Sequence, residues 1–322
     1  MSAHPTENIN VDEDEAVADI WDLASTFSIS SSTSVLDYPI EHGRQYHAYK
    51  SGSYHRPNDE EELDRLDLMN ALLQMVNNDK LHLAPIEPAS QRILDIGAGT
   101  GIWCIAMGDQ YPSAEIIGVD ISASAPPLLP PNVRFEIDDV EDPWTYGNPF
   151  DYIHSRYMAG SIKDWPRLME QCYVHLKPGG WVEFQDFDID YYSQDGSLTP
   201  DHALRRWLTT AYGAEKQTGR TLCPGKYLER WVHEAGFTNV QVVKSPLPLG
   251  VWPKDQKLKK IGLLNWTQLW EGLQGMSLRL YIDFLGWSRE DLEILLTEVR
   301  KDLKDSAVHA MFDLLVTLRS DG

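Results

Sequence analysis

The sequence is poor in cysteine and contains no long apolar run. Its three cysteines, Cys104, Cys172 and Cys223, form no C-x-x-C pair, which excludes a disulfide framework and a cysteine-based zinc cluster. No stretch approaches the roughly 18 uncharged apolar residues that a membrane-spanning helix needs, and the first residues lack the basic and apolar regions of a secretory signal. We therefore expect a soluble cytoplasmic protein without a membrane partner, the nucleus being the alternative compartment.

Basic residues are also scarce. The 322 residues include 28 Lys and Arg against 49 Asp and Glu, which gives a formal net charge of −21. This excess of negative charge repels phosphate backbones and argues against a nucleic-acid partner. Residues 1–40 hold eight of the acidic side chains and no Lys or Arg, and a serine-rich run spans 28–34. This composition predicts a disordered acidic leader over 1–40.

The remaining chain divides into three parts by its periodicity. Residues 41–90 contain a helical pattern that starts near Asn58 or Asp59, either of which can cap the first turn. Residues 91–190 alternate strands with helices, which predicts parallel strands joined by right-handed crossovers. The predicted strands are 92–96, 115–120, 133–137, 150–155 and 181–187, with helices at 102–111 and 165–176 and a turn at 177–180. Residues 191–322 carry helices at 199–217, 225–236 and through 255–304, a strand at 237–244, and a run at 309–318 that fits either a strand or a helix.

The most informative stretch is a glycine-rich turn, I-L-D-I-G-A-G-T-G. An apolar strand runs directly into Gly97, Gly99 and Gly101 and then into a helix. Glycine lets the backbone turn tightly and lets a ligand approach main-chain N–H groups without a side chain in the way. Asp120 ends the second strand, where its carboxylate can accept both ribose hydroxyls of an adenosine. The pattern indicates a nucleoside-binding turn.

The spacing of the glycines separates two classes of cofactor. Dinucleotide sites use G-x-G-x-x-G and hold a pyrophosphate at the helix start, whereas this turn is G-x-G-x-G. The Asp95 carboxylate would repel a pyrophosphate but can orient, through water, the amino group of a methionine moiety. The pattern therefore favours S-adenosylmethionine, which is cationic and carries no phosphate. The alternatives are a turn that only packs the helix on the strand and, more distantly, a dehydrogenase site.

Beyond these features, the sequence resembles the class I S-adenosylmethionine-dependent methyltransferases. The core resemblance rests on ILDIGAGTGIW, IIGVDIS, IDDVEDPW and LKPGGWVEFQDFD. Two further segments resemble the fungal group of LaeA-like and UMTA-type methyltransferases: EHGRQYHAYKSGSYHRPNDEEELDRLDL and FDYIHSRYMAGSIKDWPRLMEQCYVHLKPGGW. The resemblance covers about residues 41–320 and implies a single methyltransferase domain over 41–322, with its cofactor-binding core at 91–190. The implied fold is α/β: a Rossmann-like, seven-stranded, mostly parallel sheet with helices on both faces and an added helical lid.

The resemblance also implies a set of cofactor contacts. The three glycines would form the loop around the methionine moiety, and Asp120 would hold the ribose with Ile121 beside it. Asp139 would bond the adenine amino group, while Val140 packs against the ring. Without the other motifs, the acidic run at 138–142 would instead indicate a solvated turn.

The segment G-R-Q-Y-H ahead of the core resembles the GRxYH signature of the fungal group. Arg44 and Tyr46 would close over the methionine carboxylate, the first as a bidentate cation and the second as a hydroxyl donor. Tyr54 would join them. The alternative is that these residues anchor the leading segment onto the sheet.

Methyl transfer from a sulfonium is an in-line displacement, so the protein must place the nucleophile and, for an alcohol or phenol, remove its proton. No metal is required. Candidate catalytic groups should lie at the carboxyl end of the fourth or the fifth strand, beside the cofactor crevice. His154, Arg156 and Tyr157 follow the fourth strand, and Glu183, Asp186 and Asp188 lie on or after the fifth. Histidine titrates near neutrality, which favours His154 as a base or an orienting group, with a structural hydrogen bond as the alternative. Arg156 would steer a substrate carboxylate or amine.

Specificity is expected from residues outside the shared core. Several aromatic side chains there suit an aromatic or polyketide-like metabolite, or equally a lid packed on itself: Tyr191, Tyr192, Trp207, Trp252, Trp266, Trp270 and Trp287. The sequence thus favours a methyltransferase acting on a small secondary metabolite, at oxygen before nitrogen or carbon. The alternatives are a LaeA-like regulator of secondary metabolism that acts through protein partners, and a cofactor-bound protein that catalyses a non-methylating rearrangement.

Overall fold

A computed structural model describes residues 8–11, 38–47, 55–87, 92–122, 124–126 and 128–320. Most of the predicted leader lies outside these residues. Within it, residues 8–11 contact the folded body: Val11 forms an isolated antiparallel bridge with Pro253, and the Lys254 N–H donates to the Asn10 carbonyl at 2.7 Å. Among the described residues, no helix is both long and apolar enough to cross a membrane.

A seven-stranded sheet organises the described chain, and a two-stranded hairpin precedes it. The strands are β1 (Ile40–Glu41), β2 (Arg44–Gln45), β3 (Arg92–Ile96), β4 (Glu115–Asp120), β5 (Val133–Ile137), β6 (Phe150–Arg156), β7 (Leu176–Tyr192), β8 (Gln241–Pro248) and β9 (Met311–Ser320). The helices are α1 (Glu60–Val76), α2 (Ile102–Gln110), α3 (Trp165–Val174), α4 (Ala203–Gln217), α5 (Gly225–Glu234), α6 (Gln256–Gly272) and α7 (Arg289–Lys304), with a π-helix at Arg279–Phe284. The sheet order is β5-β4-β3-β6-β7-β9-β8. β3 to β7 pair in parallel, and β9 runs antiparallel to both of its neighbours.

Apolar residues on both faces of the sheet explain its two layers of helices. Side chains alternate along a strand, so Ile93 and Leu94 point to opposite faces and belong to different core clusters. The Leu94 cluster includes Trp165 of α3 and Trp231 of α5. The Ile93 cluster includes Trp103 of α2 and takes in α1, α4, α6 and α7. The predicted Rossmann-like, mostly parallel sheet with helices on both faces is confirmed.

Helix α1 begins where the sequence predicts. The Asp59 carboxylate accepts the Glu62 N–H at 3.2 Å and so caps the first turn. Three glutamates, residues 60–62, follow in that turn, where the helix dipole favours negative charge. This start fixes the helix that will line the site described below.

The predicted turn at 177–180 is wrong, because these residues lie inside β7. Leu176 already pairs with Phe150, and the register between the two strands then shifts. The additional residues of β7 are accommodated in this irregularity of the register. Gly179 supports this irregularity with a φ of +79°.

The last two strands also refine the sequence-based boundaries. The strand predicted at 237–244 is β8, displaced towards the carboxyl terminus, and it contains Pro246 and Pro248. Proline is tolerated there because β8 is an edge strand that pairs only with β9. The ambiguous run at 309–318 is β9, which pairs on both sides and inserts between β7 and β8.

Candidate active site

A cavity, here termed the glycine-loop cavity, opens at the carboxyl ends of the parallel strands. Four strand ends contribute residues 97–100, 119–122, 138–141 and 156–158 to its wall. A further wall comes from α1 and the residues before it: Pro57, Asn58, Glu62, Leu63, Leu66, Met69, Asn70 and Leu73. This edge of an open α/β sheet is where ligands bind.

The glycine loop requires glycine for both conformation and space. Gly97, Gly99 and Gly101 have φ values of +73°, +55° and +77°, a region that L side chains avoid. A Cβ at Gly97 would lie 2.2 Å from Met158 Sδ, and one at Gly101 would lie 2.4 Å from the Phe135 ring. Gly97 and Gly99 line the cavity. Gly101 does not, because it turns the chain into α2 as its N-cap.

The main-chain amides of the loop donate within the protein. The N–H groups of Gly97 and Ala98 donate to the Val119 carbonyl at 2.9 and 3.0 Å. The Gly99 N–H donates to the Asp120 carboxylate at 2.9 Å. A phosphate-binding turn presents such groups to its ligand, so this loop fits a ligand that carries no phosphate.

Asp120 lies at the end of β4 and lines the cavity together with Ile121. One carboxylate oxygen accepts the Gly99 N–H at 2.9 Å and the other accepts the Ser122 N–H at 2.8 Å. Burial raises the pKa of Asp120 above its ordinary value, and these two donors oppose the rise. Each oxygen keeps acceptor capacity, so the carboxylate can still receive a pair of ribose hydroxyls.

The remaining end of the cavity is acidic. Asp139 and Val140 both line it, and Asp139 Oδ1 accepts the Glu141 N–H at 2.9 Å. Among the described lining residues, carboxylates outnumber guanidiniums: Glu62, Asp120, Asp138, Asp139 and Glu141 against Arg156 and Arg220. Such a lining favours a cationic ligand.

Arg156 and Tyr157 follow β6 and also line the cavity. Arg156 Nη2 donates to Asn70 Oδ1 at 2.5 Å, and burial lowers the pKa of Arg156. Tyr157 has a φ of +56°, which is unusual for a bulky residue. Its hydroxyl accepts hydrogen bonds from Arg56 at 2.8 Å and from Arg65 at 3.1 Å. Both side chains are therefore held in place from α1 and the segment before it.

The structure does not bring His154 or Asp95 to the cavity. His154 is fully buried and stacks on Trp103, with ring centroids 3.9 Å apart. His154 Nδ1 lies 2.7 Å from Asp95 Oδ1, and Cys104 Sγ donates to the same carboxylate at 3.2 Å. Asp95 and His154 are register partners on β3 and β6. The pair thus links β3 to β6 beneath the loop. This contact corresponds to the structural hydrogen bond that the sequence left as the alternative to a catalytic base at His154.

Arg44 and Tyr46 likewise lie outside the cavity lining. Arg44 donates twice to the Asp59 carboxylate, both times at 2.6 Å. Tyr46 is buried beneath Arg279, whose guanidinium carbon lies 3.6 Å from the ring centroid, and burial raises the pKa of Tyr46 to about 12. These contacts favour the anchoring alternative over contact with a methionine carboxylate. Tyr54 lies outside the described residues.

Sequence reasoning missed the contribution of α1. Glu62, Leu66, Met69 and Asn70 share one face of this helix and line the cavity. The sequence did contain a signal: Glu62 and Asn70 are polar, although they lie on the helix face that an amphipathic helix normally fills with apolar side chains. Glu62 is only 2% exposed and pairs with Arg65 at 2.7 Å.

A second cavity, the aromatic cavity, adjoins the first. Met69 and Tyr157 line both. The rest of its apolar wall comes from β7, the helical layer and β9, through Phe187, Ile189, Tyr191, Trp207, Leu208, Ala211, Leu222, Leu269, Met276, Leu280 and Phe312. Its polar side chains are His55, Arg56, Glu215 and Gln268.

The aromatic residues predicted to shape specificity divide into two groups. Tyr191 and Trp207 line the aromatic cavity. Trp266 and Trp270 stack on each other with centroids 5.0 Å apart, and they do not line it, nor do Tyr192, Trp252 and Trp287. The helical layer therefore both packs on itself and walls a cavity.

Comparison with known proteins gives matches along almost the whole chain. A family model described as a methyltransferase domain matches residues 69–242. The chain is 45% identical over 316 residues to methyltransferase pytC of Aspergillus terreus, covering 98% of this chain and 96% of that protein. It is 36% identical over 278 residues to secondary metabolism regulator LAE1 of Cochliobolus heterostrophus, covering 84% and 91%. It is 33% identical over 271 residues to probable methyltransferase tdiE of Emericella nidulans, covering 83% and 85%.

These matches agree with a cavity whose acidic lining favours a cationic ligand. The family model covers more than half of the chain, and the relatives extend the match to the segments outside the core. The chain therefore belongs to the class I S-adenosylmethionine-dependent methyltransferases, in their fungal LaeA-like group, and its cofactor is S-adenosylmethionine.

Proposed function

We propose that this protein transfers the methyl group of S-adenosylmethionine to an oxygen atom of a small secondary metabolite bound in the aromatic cavity. The observation that carries the proposal is the junction of the two cavities at Met69 and Tyr157. A cofactor in the glycine-loop cavity and an acceptor in the aromatic cavity would meet at these two side chains.

The residues of the glycine-loop cavity fit the cofactor. Asp120 offers its two oxygens to the ribose hydroxyls, and Asp139 offers a carboxylate to the adenine amino group with Val140 against the ring. The acidic lining complements the positive charge of the ligand. When bound, S-adenosylmethionine supplies an electrophilic methyl group on a positively charged sulfur.

The contribution of the chain to the reaction is alignment. In-line displacement gains most from holding the reacting atoms in one geometry. Tyr157 is suited to form a fixed wall, because two guanidiniums hold its hydroxyl and its ring packs edge-on against Phe187 at 5.2 Å. The apolar walls beyond it exclude water from the acceptor.

The shape of the aromatic cavity supports a small acceptor. Its walls include the buried side chains of Trp207, Leu208 and Phe312, which are at most 5% exposed. A cavity enclosed by the helical layer takes a compact ligand, whereas a protein substrate needs an open groove for an extended segment.

A second candidate is a regulator of secondary metabolism that acts through protein partners. The observation in its favour is the 36% identity to regulator LAE1 over 84% of this chain. The 45% identity to methyltransferase pytC over 98% of the chain favours the enzyme.

The test is to incubate the purified full chain with deuterated-methyl S-adenosylmethionine and a metabolite extract of the fungus that encodes it. We expect mass spectrometry to find a labelled small molecule, and NMR to place the label on oxygen. A second incubation with soluble protein in place of the extract tests the regulator.

Three results would contradict the proposal. Label on protein alone would favour the regulator, and label on nitrogen or carbon would overturn the choice of oxygen. A product whose formation depends on the cofactor but carries no label would indicate the non-methylating alternative.

A further inference from the structure

The aromatic cavity contains one histidine that is paired with a buried carboxylate. His55 Nδ1 lies 3.4 Å from Glu215 Oε1, and both residues line the cavity. Glu215 is 6% exposed. The tautomer in which Nδ1 donates to Glu215 leaves the lone pair of Nε2 as the acceptor of a proton.

The position of His55 along the chain places it next to the cofactor site. Residues 55 and 56 line the aromatic cavity, and the next two residues, Pro57 and Asn58, line the glycine-loop cavity. This short segment therefore crosses the junction of the two cavities. The His55 imidazole is therefore placed to act on an acceptor in the aromatic cavity whose reactive atom points towards the cofactor.

Two cationic groups lie near the pair. Arg56 donates to the Tyr157 hydroxyl at 2.8 Å and to the Ala159 carbonyl at 3.2 Å, while Arg220 interacts electrostatically with Glu215. On the far side, the His55 ring lies 6.3 Å from that of Phe284 in the π-helix. Positive charge near the acceptor stabilises an oxyanion that forms as a hydroxyl loses its proton.

We propose that His55 is the catalytic base that deprotonates the acceptor hydroxyl, and that Glu215 is the positioning residue that orients its imidazole. The inference rests on the proposed function, because a base is needed only when an O–H group is methylated. In contrast, His154, the histidine singled out by sequence, is fully buried between β3 and Trp103 and reaches neither cavity.

The step balances in atoms and charge. The acceptor oxygen forms a bond to the methyl carbon while the S–CH3 bond breaks, and the sulfur keeps that electron pair. The hydroxyl proton passes to His55 Nε2, and the resulting imidazolium is stabilised by Glu215 before it returns the proton to water.

This arrangement also defines the class of acceptor. The walls are aromatic and aliphatic, so they favour a flat apolar body. A base beside guanidinium charge favours an acidic hydroxyl, such as that of a phenol or an enol. We therefore expect the metabolite to be a planar, largely apolar phenol or enol whose hydroxyl reaches the segment at 55–58.

The test uses the full chain. The acceptor is the unmethylated precursor of the product that the wild-type protein labels. His55→Gln should lower the single-turnover methylation rate about 100-fold, while the Kd of S-adenosylhomocysteine stays within about twofold. The deficit should shrink as pH rises, because a phenol that is already ionised needs no base. Added imidazole should restore activity to His55→Ala, and Glu215→Gln should lower kcat with little change in KM.

His309→Gln is the matched control. Its side chain is 16% exposed, against 15% for His55, and it contacts the Asp195 carboxylate at 2.6 Å, outside both cavities. This variant should methylate at the wild-type rate. Two results would overturn the role of His55 and leave the proposed function standing. The first is a rate for His55→Gln within threefold of the wild-type rate, and the second is a loss of rate that neither high pH nor imidazole reduces. A wild-type protein that labels no small molecule would overturn both.

Discussion

The two adjoining cavities differ in how the chain builds them. The glycine-loop cavity takes most of its polar side chains from strand ends, in short segments at 97–100, 119–122, 138–141 and 156–158. The aromatic cavity is assembled from single side chains on distant elements, from His55 to Phe312. The first has an acidic lining, whereas the second presents mainly apolar walls.

This difference indicates a division of labour. A change in the glycine-loop cavity should alter cofactor binding whatever the acceptor, because its contacts are to the shared ligand. A change in the aromatic cavity should alter methyl transfer and leave cofactor binding intact. The predictions for Asp120 and Ala211 test whether the two cavities respond separately, and those for Gly101 and Tyr46 test the glycine loop and the segment before the core.

The largest effect is expected for Asp120→Ala. Loss of the carboxylate removes the proposed acceptor for the ribose, as well as the partner of the Gly99 and Ser122 amides. Hydrogen bonds to a charged group contribute about 1.5–3 kcal/mol, so the Kd of S-adenosylhomocysteine should rise about 100-fold by calorimetry. Asp109→Ala, at an exposed position of α2, is the control. Equal Kd values for the two variants would remove Asp120 from the site.

Gly101→Ala should destabilise the protein by about 2 kcal/mol. A left-handed φ costs a non-glycine residue about 1–2 kcal/mol, and the added Cβ would meet the Phe135 ring. Urea denaturation measures the change. Gly147→Ala is the control, because its Cβ would meet no described atom within 4 Å and its φ is not positive. Similar stability for both variants would mean that the loop tolerates a side chain.

Ala211→Phe should impair methyl transfer without weakening cofactor binding, in contrast to Asp120→Ala. Ala211 is 4% exposed and lines the aromatic cavity alone, so a phenyl ring there fills the space of the acceptor. We expect the methylation rate to fall about tenfold, a loss of about 1.4 kcal/mol, with the cofactor Kd unchanged. Ala211→Val should give a smaller loss. A graded loss of cofactor affinity instead would show that the cavities are not independent.

Cofactor affinity should depend on pH through Asp120. Because burial raises the pKa of this carboxyl, it takes up a proton at a higher pH than an ordinary aspartate does. In the proposed role the ionised form accepts the ribose hydroxyls, so affinity is complete well above the raised pKa and is lost as pH falls through it. Calorimetry from pH 8 downwards measures the loss, which should be absent in Asp120→Asn.

The smallest effect is expected for Tyr46→Phe. The Tyr46 hydroxyl is buried and makes no hydrogen bond among the described residues, so its removal should not weaken the protein and should leave the cofactor Kd within twofold. Thermal unfolding and calorimetry check both. A tenfold loss of cofactor affinity would instead support the contact with a methionine carboxylate that the sequence suggested.

The same contrast explains what sequence could predict. The position of the glycine turn and Asp120 at a cavity could be predicted, because both lie within a strand-turn-helix unit of fixed geometry. His154 was misleading, because its place at a strand end does not reveal whether the side chain points to solvent or into the core. Only the fold shows that it stacks on Trp103.

The aromatic cavity could not be predicted from the sequence, for a different reason. His55 and Glu215 are 160 residues apart, and nothing in their local sequence links them. Their meeting depends on how α4 packs over the segment before α1. The edge position of β8, which permits Pro246 and Pro248, is likewise a property of the whole sheet.

The central claim is that the cofactor lies in one cavity with its reactive sulfur facing the other. A crystal structure of the protein with S-adenosylhomocysteine tests it most directly. We expect the ribose on Asp120, the adenine beside Asp139 and Val140, and the sulfur directed at Tyr157 and Met69. A sulfur that points away from these two side chains, or a nucleoside bound elsewhere, would contradict the account.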